Sequence, residues 1–306
     1  MLPDDGGPRI VAAAAAVQAG GGTVVDPSDA EAVVWTAVGV DAGESVAQLT
    51  DLLRRYPAIR WVQLPWAGVE PYADAGVFDH EHIWTCAKGI YAKPVAEHAL
   101  TLTLAGMRHV TAFSRADHWT GQGGRSLFDG HVTIFGGGGI ALELVALLAP
   151  FGCRVTVVRK RPAPIDGVQV LGWEHRDDAL AGADAVVLAL ALTPENEGMI
   201  GRSQLETMPE HACLVNVARG RHIVTDDLVA ALAANEIGSA GLDVTEPEPL
   251  PDGHPLWGLD NCLITPHTAN TEAMATPLLR ARIVDNIRRF STGQPLSGQI
   301  DPDLGY

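Results

Sequence analysis

The sequence contains no long hydrophobic run. Its longest apolar stretches, such as 12–17 and 185–192, fall far short of the roughly 20 residues needed to cross a bilayer. Residues 1–5 are acidic where a secretory signal carries positive charge ahead of its apolar segment. We therefore expect no membrane span and a cytoplasmic location.

Cysteines and basic residues are also scarce. The four cysteines lie far apart without a CxxC pair, so we predict small core residues rather than a disulfide framework or a zinc knuckle. With 21 Lys and Arg against 37 Asp and Glu, the formal net charge of −16 repels phosphate backbones, and we expect no nucleic-acid partner. His80 and His82 lie in a polar turn without an evident third ligand, so we assign no metal.

The later part of the chain alternates β-branched runs with helical patterns. This alternation is typical of a parallel sheet whose strands are joined by crossover helices. The predicted strands are 131–135, 154–158, 185–190, 214–217, 240–244 and 262–265. The predicted helices are 140–151, 203–208 and 226–235. We expect Thr225 to be the N-cap of the last helix, which has acids in its first turn.

The pattern of the first part of the chain predicts a separate, smaller α/β unit. Its predicted elements are a helix from Pro8, a strand at 32–36, a helix at 45–56 and a strand at 61–64, which leave little room for an earlier strand. Two further helices, at 94–107 and 274–290, are expected to connect the domains. Pro277 either starts the second of them or bends it.

A glycine-rich turn follows the first strand of the later part. Strand 131–135 runs into Gly136-Gly-Gly-Gly-Ile-Ala141 and then a helical pattern. Only the register that uses Gly136, Gly138 and Ala141 puts a small residue where helix and strand pack closely, because the alternative register puts Leu142 there. A Gly-rich turn alone is more often a loop, but between a strand and a helix it favours a dinucleotide site.

A basic cluster stands where an acidic residue normally holds the ribose 2′-hydroxyl of NAD. Arg159, Lys160 and Arg161 follow the next predicted strand, about 20 residues beyond the glycines. A guanidinium binds a 2′-phosphate with charge-assisted hydrogen bonds. The structural alternative is a solvated basic turn, but its position in an acidic chain favours NADP over NAD.

Three polar residues at the ends of late strands fit the reduction of a keto acid. Arg219 can hold a carboxylate and polarise a carbonyl, and His267 can donate a proton to the oxygen that becomes negative as hydride arrives. Glu248 is our choice for the carboxylate that orients the imidazole and favours its protonated form. Taken singly, each also fits a structural role: an ion pair, a solvated loop acid or a capped turn.

Six segments spread over nearly the whole chain carry further motifs. They are Ala67-Gly68-Val69, Val95-Ala96-Glu97-His98-Ala99-Leu100, the glycine turn, Asn216-Val-Ala-Arg219-Gly220, Leu242-Asp243-Val244 through Glu248-Pro249, and Thr265-Pro266-His267. Together they resemble the D-isomer-specific 2-hydroxyacid dehydrogenases, particularly the glyoxylate and hydroxypyruvate reductase branch.

The resemblance implies roles for these residues. Arg219 is expected to bind and polarise the substrate, His267 to donate or accept the proton, and Glu248 to partner that histidine. Glu246 lies close to it, but the family's acid directly precedes a proline, as Glu248 does. The backbone of Ala67 and Gly68 resembles the family's substrate-carboxylate loop.

The resemblance also implies the cofactor residues. Thr193 and Asp243 match positions near the nicotinamide ribose or carboxamide. The expected cofactor-binding set is Gly136, Gly138, Gly139, Ile140, Arg159, Lys160, Arg161, Thr193, Ala218 and Asp243.

The architecture implied is an α/β fold of two Rossmann-like or flavodoxin-like domains, each a doubly wound parallel sheet, with a cleft between them. Residues 1–95 and 275–306 are expected to form the substrate-binding domain and residues 96–274 the dinucleotide-binding domain. The family further implies a homodimer built through the latter. From the chain length we expect no added C-terminal regulatory domain.

Several residues depart from the family pattern. Besides Arg159, Ala191 replaces a common proline and Cys86 a frequent asparagine. The large aromatics Trp66, Tyr91 and Trp119 either shape the substrate pocket or pack structurally.

Two other functions stay open. A non-catalytic, dinucleotide-sensing corepressor shares this fold, although the Arg–Glu–His set weakens that option. A formate or phosphite dehydrogenase is the second, and Glu248 disfavours formate oxidation, for which the family has glutamine.

Overall fold

The computed structural model describes residues 8–36 and 41–305. The chain divides into two compact units. The first combines the chain up to Tyr91 with the chain from Thr271 onward, and the second is Ala92–Asn270. In the described ranges, no helix is long and apolar enough to cross a membrane.

The first unit contains a three-stranded parallel sheet in the order β1-β2-β3. Its strands are β1 (Ala32–Val34), β2 (Trp61–Gln63) and β3 (Ile83–Thr85). Its helices are α1 (Pro8–Ala19), α2 (Ala42–Arg55), α3 (Glu70–Asp74) and α9 (Glu272–Ser291). The prediction that little room remains for an earlier strand concerns residues 1–7, which lie outside the described residues.

Helices cover both faces of this small sheet. On one face, α1 and α9 bury a cluster that includes Ala16, Val34 and Ile283. On the other, α2 contributes Leu49 and Leu53 to a larger cluster around the strands. Apolar side chains alternate between the two faces of a strand, so two helical layers are needed to bury them.

Polar contacts fix the helix ends and the long C-terminal helix of the first unit. The Asp41 carboxylate caps α2 by accepting from the Glu44 amide at 2.9 Å. Asn286 of α9 is fully buried and donates to Gln63 Oε1 at 2.9 Å. Pro277 lies inside α9, whose N-cap is Thr271, so this proline does not start the helix.

The second unit contains a seven-stranded, all-parallel sheet in the order β10-β9-β8-β7-β4-β5-β6. The strands are β4 (His131–Phe135), β5 (Arg154–Val158), β6 (Gln169–Leu171), β7 (Ala185–Leu188), β8 (Cys213–Asn216), β9 (Ser239–Leu242) and β10 (Cys262–Ile264). The helices are α4 (Ala92–Met107), α5 (Val110–Arg115), α6 (Gly139–Leu148), α7 (Arg202–Thr207) and α8 (Thr225–Ala233).

The strand order creates a switch point between β4 and β7. The chain passes from β4 to β5 and β6 on one side, then returns to β7 and continues to β10 on the other. This is the doubly wound order of dinucleotide-binding sheets, in which ligands bind outside the carboxyl ends of the strands at the reversal. The doubly wound fold predicted from the sequence is confirmed.

The sequence did not predict β3, β6, α3 or α5, and one predicted helix cap was wrong. The edge strand β6 was missed, because its three residues alternate weakly and only pairing with β5 makes them a strand. Thr225 is the first residue of α8 rather than its cap; the N-cap is Val224, and the Thr225 hydroxyl donates to the Glu246 carbonyl at 2.7 Å. The Thr225 hydroxyl therefore bonds to a distant carbonyl and not to a backbone amide of its own helix.

The cysteines are free among the described residues. Cys86, Cys213 and Cys262 are buried, as predicted for small core residues, whereas Cys153 is partly exposed. Burial raises the pKa of Cys213 to about 11, so this thiol stays protonated at neutral pH.

Candidate active site and cofactor site

The glycine turn after β4 crosses the switch point of the second unit. Gly136 has φ 111°, and a Cβ there would overlap the carbonyl oxygen of Ala189, which follows β7. Glycine is therefore required for both backbone conformation and close approach.

The start of α6 fits an anionic group. Gly138 is the N-cap in an extended conformation, and a Cβ on it would meet no heavy atom within 4 Å. The first amides of a helix, here from Gly139 and Ile140, have no intrahelical partner and favour a phosphate. Ala141 is fully buried whereas Leu142 is 48% exposed, as the register chosen from the sequence requires.

The three residues of the basic segment after β5, Arg159, Lys160 and Arg161, have different environments. Lys160 forms an ion pair with Glu195, an acid that the sequence analysis did not consider. The partly buried Arg159 has a backbone amide bonded to Leu171 of β6 at 3.1 Å. Within 8–36 and 41–305, its guanidinium forms no hydrogen bond or ion pair. Arg161 is exposed.

The loop after β7 is held by Asn196, which the sequence analysis missed. Its amide side chain accepts from the Thr193 backbone at 2.8 Å and donates to the Ala191 carbonyl at 2.8 Å. Asn196 is buried, so these bonds fix Thr193 beside the switch point. A buried asparagine gives no periodic signal in a sequence, which explains the omission.

Arg219 stands at the carboxyl end of β8. The buried Asn216 accepts from the Ala218 amide at 3.0 Å and donates to the Arg219 carbonyl at 2.8 Å. The next residue, Gly220, approaches the backbone of Thr245 so closely that a Cβ would overlap its carbonyl. Both features fix the backbone from which the Arg219 side chain projects.

His267 and Glu248 are in direct contact. Nδ1 of His267 lies 2.7 Å from Oε1 of Glu248, and the two side chains are 55% and 39% exposed. A carboxylate can only accept, so Nδ1 carries the hydrogen and Nε2 is left for chemistry. Glu246, the alternative acid, instead contributes its backbone carbonyl to Thr225.

Asp243 organises the loop that carries His267. Its carboxylate is 2% exposed and accepts from Thr265 Oγ1 at 2.6 Å, the Thr268 amide at 2.9 Å and the Ala269 amide at 3.0 Å. Its backbone carbonyl accepts from the His267 amide at 2.8 Å. These bonds hold His267 at φ 50°, a left-handed conformation that a free loop rarely adopts.

His98 of α4 supports the same loop. Its Nε2 lies 2.9 Å from Thr265 Oγ1 and 3.3 Å from Asp243 Oδ1. His98 belongs to the motif Val95–Leu100, from which no role was predicted for this histidine. The motif made His98 recognisable, but its partners Thr265 and Asp243 are more than 140 residues away in the sequence.

Arg219, Glu248 and His267 gather at one edge of the second unit. Strands β8, β9 and β10 are neighbours, and the residues after them meet at the carboxyl edge of the sheet. Glu248 follows β9, and its contact with His267 joins the ends of β9 and β10.

Ala67 and Gly68 lie in the first unit, in the loop between β2 and α3. The carbonyls just before them are occupied: Pro65 accepts from the Tyr91 hydroxyl and Trp66 from the Ala87 amide, both at 2.8 Å. Burial raises the pKa of Tyr91 to about 12, so its hydroxyl remains a donor.

Three other residues considered in the sequence are Trp119, His80 and His82. Trp119 of the second unit is fully exposed. His82 contacts Asp79 at 2.8 Å and His80 contacts Asp303 at 3.2 Å. No group of three metal-ligating side chains occurs in the portion of the chain that the structure describes.

Comparison with known proteins defines the class to which this fold and site belong. The family described as D-isomer specific 2-hydroxyacid dehydrogenase, NAD binding domain, matches residues 99–269. An uncharacterised protein from the proB 3′ region of Corynebacterium melassecola is 36% identical over 308 residues, which cover 98% of each chain. The chain belongs to the D-isomer-specific 2-hydroxyacid dehydrogenase family and is a nicotinamide-dinucleotide-binding oxidoreductase.

One further relative and one solved structure are also similar to this chain. Glyoxylate/hydroxypyruvate reductase A of Serratia proteamaculans is 36% identical over 177 residues, or 57% of this chain and 56% of that one. This match spans only about half of the reductase's length. The crystal structure of a family member from Xanthobacter autotrophicus Py2, in complex with NADPH and MES, is similar with a TM-score of 0.83 and 28% identity, covering 100% of this chain and 98% of that one.

Proposed function

We propose that this protein reduces a small 2-keto acid, of the glyoxylate or hydroxypyruvate type, to the D-2-hydroxy acid with NADPH. The observation that carries this proposal is the 2.7 Å contact between His267 and Glu248 at the sheet edge where Arg219 also stands. A cation for the substrate and an oriented imidazole for the proton are what carbonyl reduction requires of the protein.

His267 acts as the proton donor. Glu248 accepts the Nδ1 hydrogen, which orients the ring and leaves Nε2 as the atom that protonates the developing alkoxide. Because the pair is partly exposed before substrate binds, the ion pair itself contributes little to folding stability. Its contribution is to the orientation of the imidazole.

Arg219 binds the substrate and polarises its carbonyl. A guanidinium presents several donors in a plane and matches a carboxylate with an adjacent carbonyl. The bonds that Asn216 makes to the backbone around Arg219 keep its direction of approach constant. In the first unit, Ala67 and Gly68 supply backbone amides for the substrate carboxylate, with Tyr91 holding their loop through Pro65.

The cofactor site consists of the glycine turn and the loops beside it. Bound nicotinamide supplies the hydride. Gly136, Gly138, Gly139 and Ile140 hold the pyrophosphate at the start of α6. Thr193, Ala218 and Asp243 border the nicotinamide end. Residues 96–274 are thereby assigned to dinucleotide binding, and 1–95 with 275–306 to substrate binding.

NADP is preferred over NAD because cations occupy the position of the ribose-binding acid. Arg159 and Arg161 supply guanidinium groups for the 2′-phosphate, and Lys160 adds positive charge while bonded to Glu195. The related Xanthobacter protein was crystallised with NADPH. The NADPH complex of that relative supports NADP as the preferred cofactor of this protein.

The protein is proposed to act as a cytoplasmic homodimer formed through the second unit. This unit exposes Val110, Phe113, Phe128, Leu142 and Leu147. Exposed large apolar side chains are available for burial against a second subunit. Free cysteines suit the reducing cytoplasm.

An absorbance assay tests the proposed reaction. NADPH and NADH are each offered with glyoxylate, hydroxypyruvate, pyruvate and an aryl keto acid, and the chirality of the product is determined. We expect oxidation of NADPH with glyoxylate and hydroxypyruvate. Hydroxypyruvate should give D-glycerate, whereas the glycolate formed from glyoxylate is achiral. Tight NADPH binding without oxidation by any keto acid would instead support a dinucleotide sensor.

A further inference from the structure

The Arg159 side chain lies across the glycine turn at Gly137. A Cβ placed on Gly137 would sit 2.7 Å from both Cδ and Nε of Arg159 and 2.9 Å from its Cζ. Carbon atoms in good contact are about 3.5–4.0 Å apart. Any side chain at position 137 therefore displaces the guanidinium.

Neither the dinucleotide fingerprint nor the backbone conformation requires glycine at position 137. In the dinucleotide fingerprint, the first glycine makes the tight turn and the second lets the backbone approach the pyrophosphate, while the residue between them is variable. The φ of Gly136 is 111°, but Gly137 does not adopt a left-handed conformation. Arg159 is the group nearest to the missing side chain.

The Arg159 guanidinium lies beside Gly137 without a polar bond from any described residue that would hold it there. Its backbone amide is bonded to Leu171, but in the residues the structure describes the guanidinium has no carboxylate or carbonyl partner. Lys160 differs, because Glu195 holds it. A long side chain without polar partners takes its position from the surface on which it packs.

We propose that Gly137 is a specificity-determining residue for the 2′-phosphate of NADPH, and that it acts by leaving room for Arg159 to lie across the turn. This inference rests on the proposed role of Arg159 in NADP preference. Gly137 is a positioning residue: it touches Arg159, and Arg159 binds the phosphate.

The test is a double-mutant cycle on cofactor affinity. Gly137→Ala, Arg159→Ala and the double variant are compared with the wild-type protein by calorimetric titration of NADPH and of NADH. Gly121→Ala is the matched control, because a Cβ there meets nothing within 4 Å. Thermal unfolding checks that each variant is folded, which we expect because the clash at Gly137 involves the far part of a flexible side chain.

We expect both single variants to weaken NADPH binding by roughly 10- to 100-fold, the loss of one charge-assisted hydrogen bond, and to affect NADH much less. In the Arg159→Ala background, Gly137→Ala should have no further effect on the NADPH-to-NADH ratio. Additive effects, or an equal loss for both cofactors, would overturn the inference.

The same titrations separate this inference from the proposed NADP preference. If Arg159→Ala leaves the NADPH-to-NADH ratio at the wild-type value, the assignment of Arg159 is wrong and Gly137 has no selectivity to control. If Arg159→Ala lowers the ratio but Gly137→Ala does not, Arg159 is correctly assigned and only the positioning role of Gly137 fails.

Discussion

Replacing Asp243 by asparagine should both destabilise the second unit and impair catalysis. The carboxylate accepts three hydrogen bonds from the loop that contains His267, two on Oδ1 and one on Oδ2. An asparagine that keeps its oxygen in the Oδ1 position presents an NH₂ group to the Ala269 amide, which loses its acceptor. The two remaining bonds change from charge-assisted to neutral.

The magnitude follows from these contacts. An unsatisfied buried amide costs about 1–3 kcal/mol, and a neutral acceptor is weaker than a charged one by roughly 1 kcal/mol per bond. With partial relaxation of the loop, the free energy of unfolding should fall by about 3 kcal/mol. For a unit of this size, such a loss lowers Tm by roughly 6–12 °C.

The assay is thermal unfolding of Asp243→Asn beside Asp252→Asn, an exposed aspartate of the same unit. The rate of keto-acid reduction at saturating NADPH is measured on both, and it should fall only in the Asp243 variant because His267 loses its fixed position. A Tm for Asp243→Asn no lower than that of Asp252→Asn would refute the claim that this carboxylate holds the loop.

Further predictions concern other positions. Gly220→Ala should lower Tm strongly, since the new Cβ overlaps the Thr245 backbone, which thermal unfolding would detect. Burial lowers the pKa of His131 below its ordinary 6.5, so the unfolded chain takes up the proton first and stability should fall as pH drops below about 6.5. His131→Gln should flatten this dependence in unfolding measured between about pH 8 and pH 5. Arg159→Asp should shift cofactor preference toward NADH in steady-state assays, and unchanged discrimination would contradict the proposed role of the basic segment.

Acidification also affects a second group at the amino edge of the sheet. Burial alone raises the pKa of Asp184, but the His131 amide, His211 and Arg125 together lower it below its ordinary value. The folded state therefore favours the carboxylate, and this stabilisation is lost only as pH falls through the lowered pKa. The His131 and Asp184 effects have the same sign but occupy different pH ranges.

The sequence alone predicted the parts of the fold that depend on local pattern. Strands such as 131–135 and 154–158 agree with the structure because β-branched runs between turns are a local signal. The register at Ala141 was predictable because only a small residue fits between helix and strand. The pairing of Glu248 with His267 was expected from family motifs, not from spacing.

What was missed depends on contacts between distant segments. Asn196, Glu195 and His98 act through partners that the sequence does not place next to them. Thr225 satisfied every local rule for a helix cap, yet its hydroxyl found the Glu246 carbonyl. Asp243 was matched to a cofactor position, and that assignment stays a prediction; its role in the His267 loop became visible only from its three donors.

A single-turnover measurement on His267→Gln tests directly whether this histidine is the proton donor. With NADPH prebound and glyoxylate added in excess, we predict that the rate of NADPH oxidation falls by roughly 10²- to 10⁴-fold, the usual contribution of a general acid, while NADPH still binds. A variant that oxidises NADPH at the wild-type rate would contradict the central claim that His267, oriented by Glu248, supplies the proton.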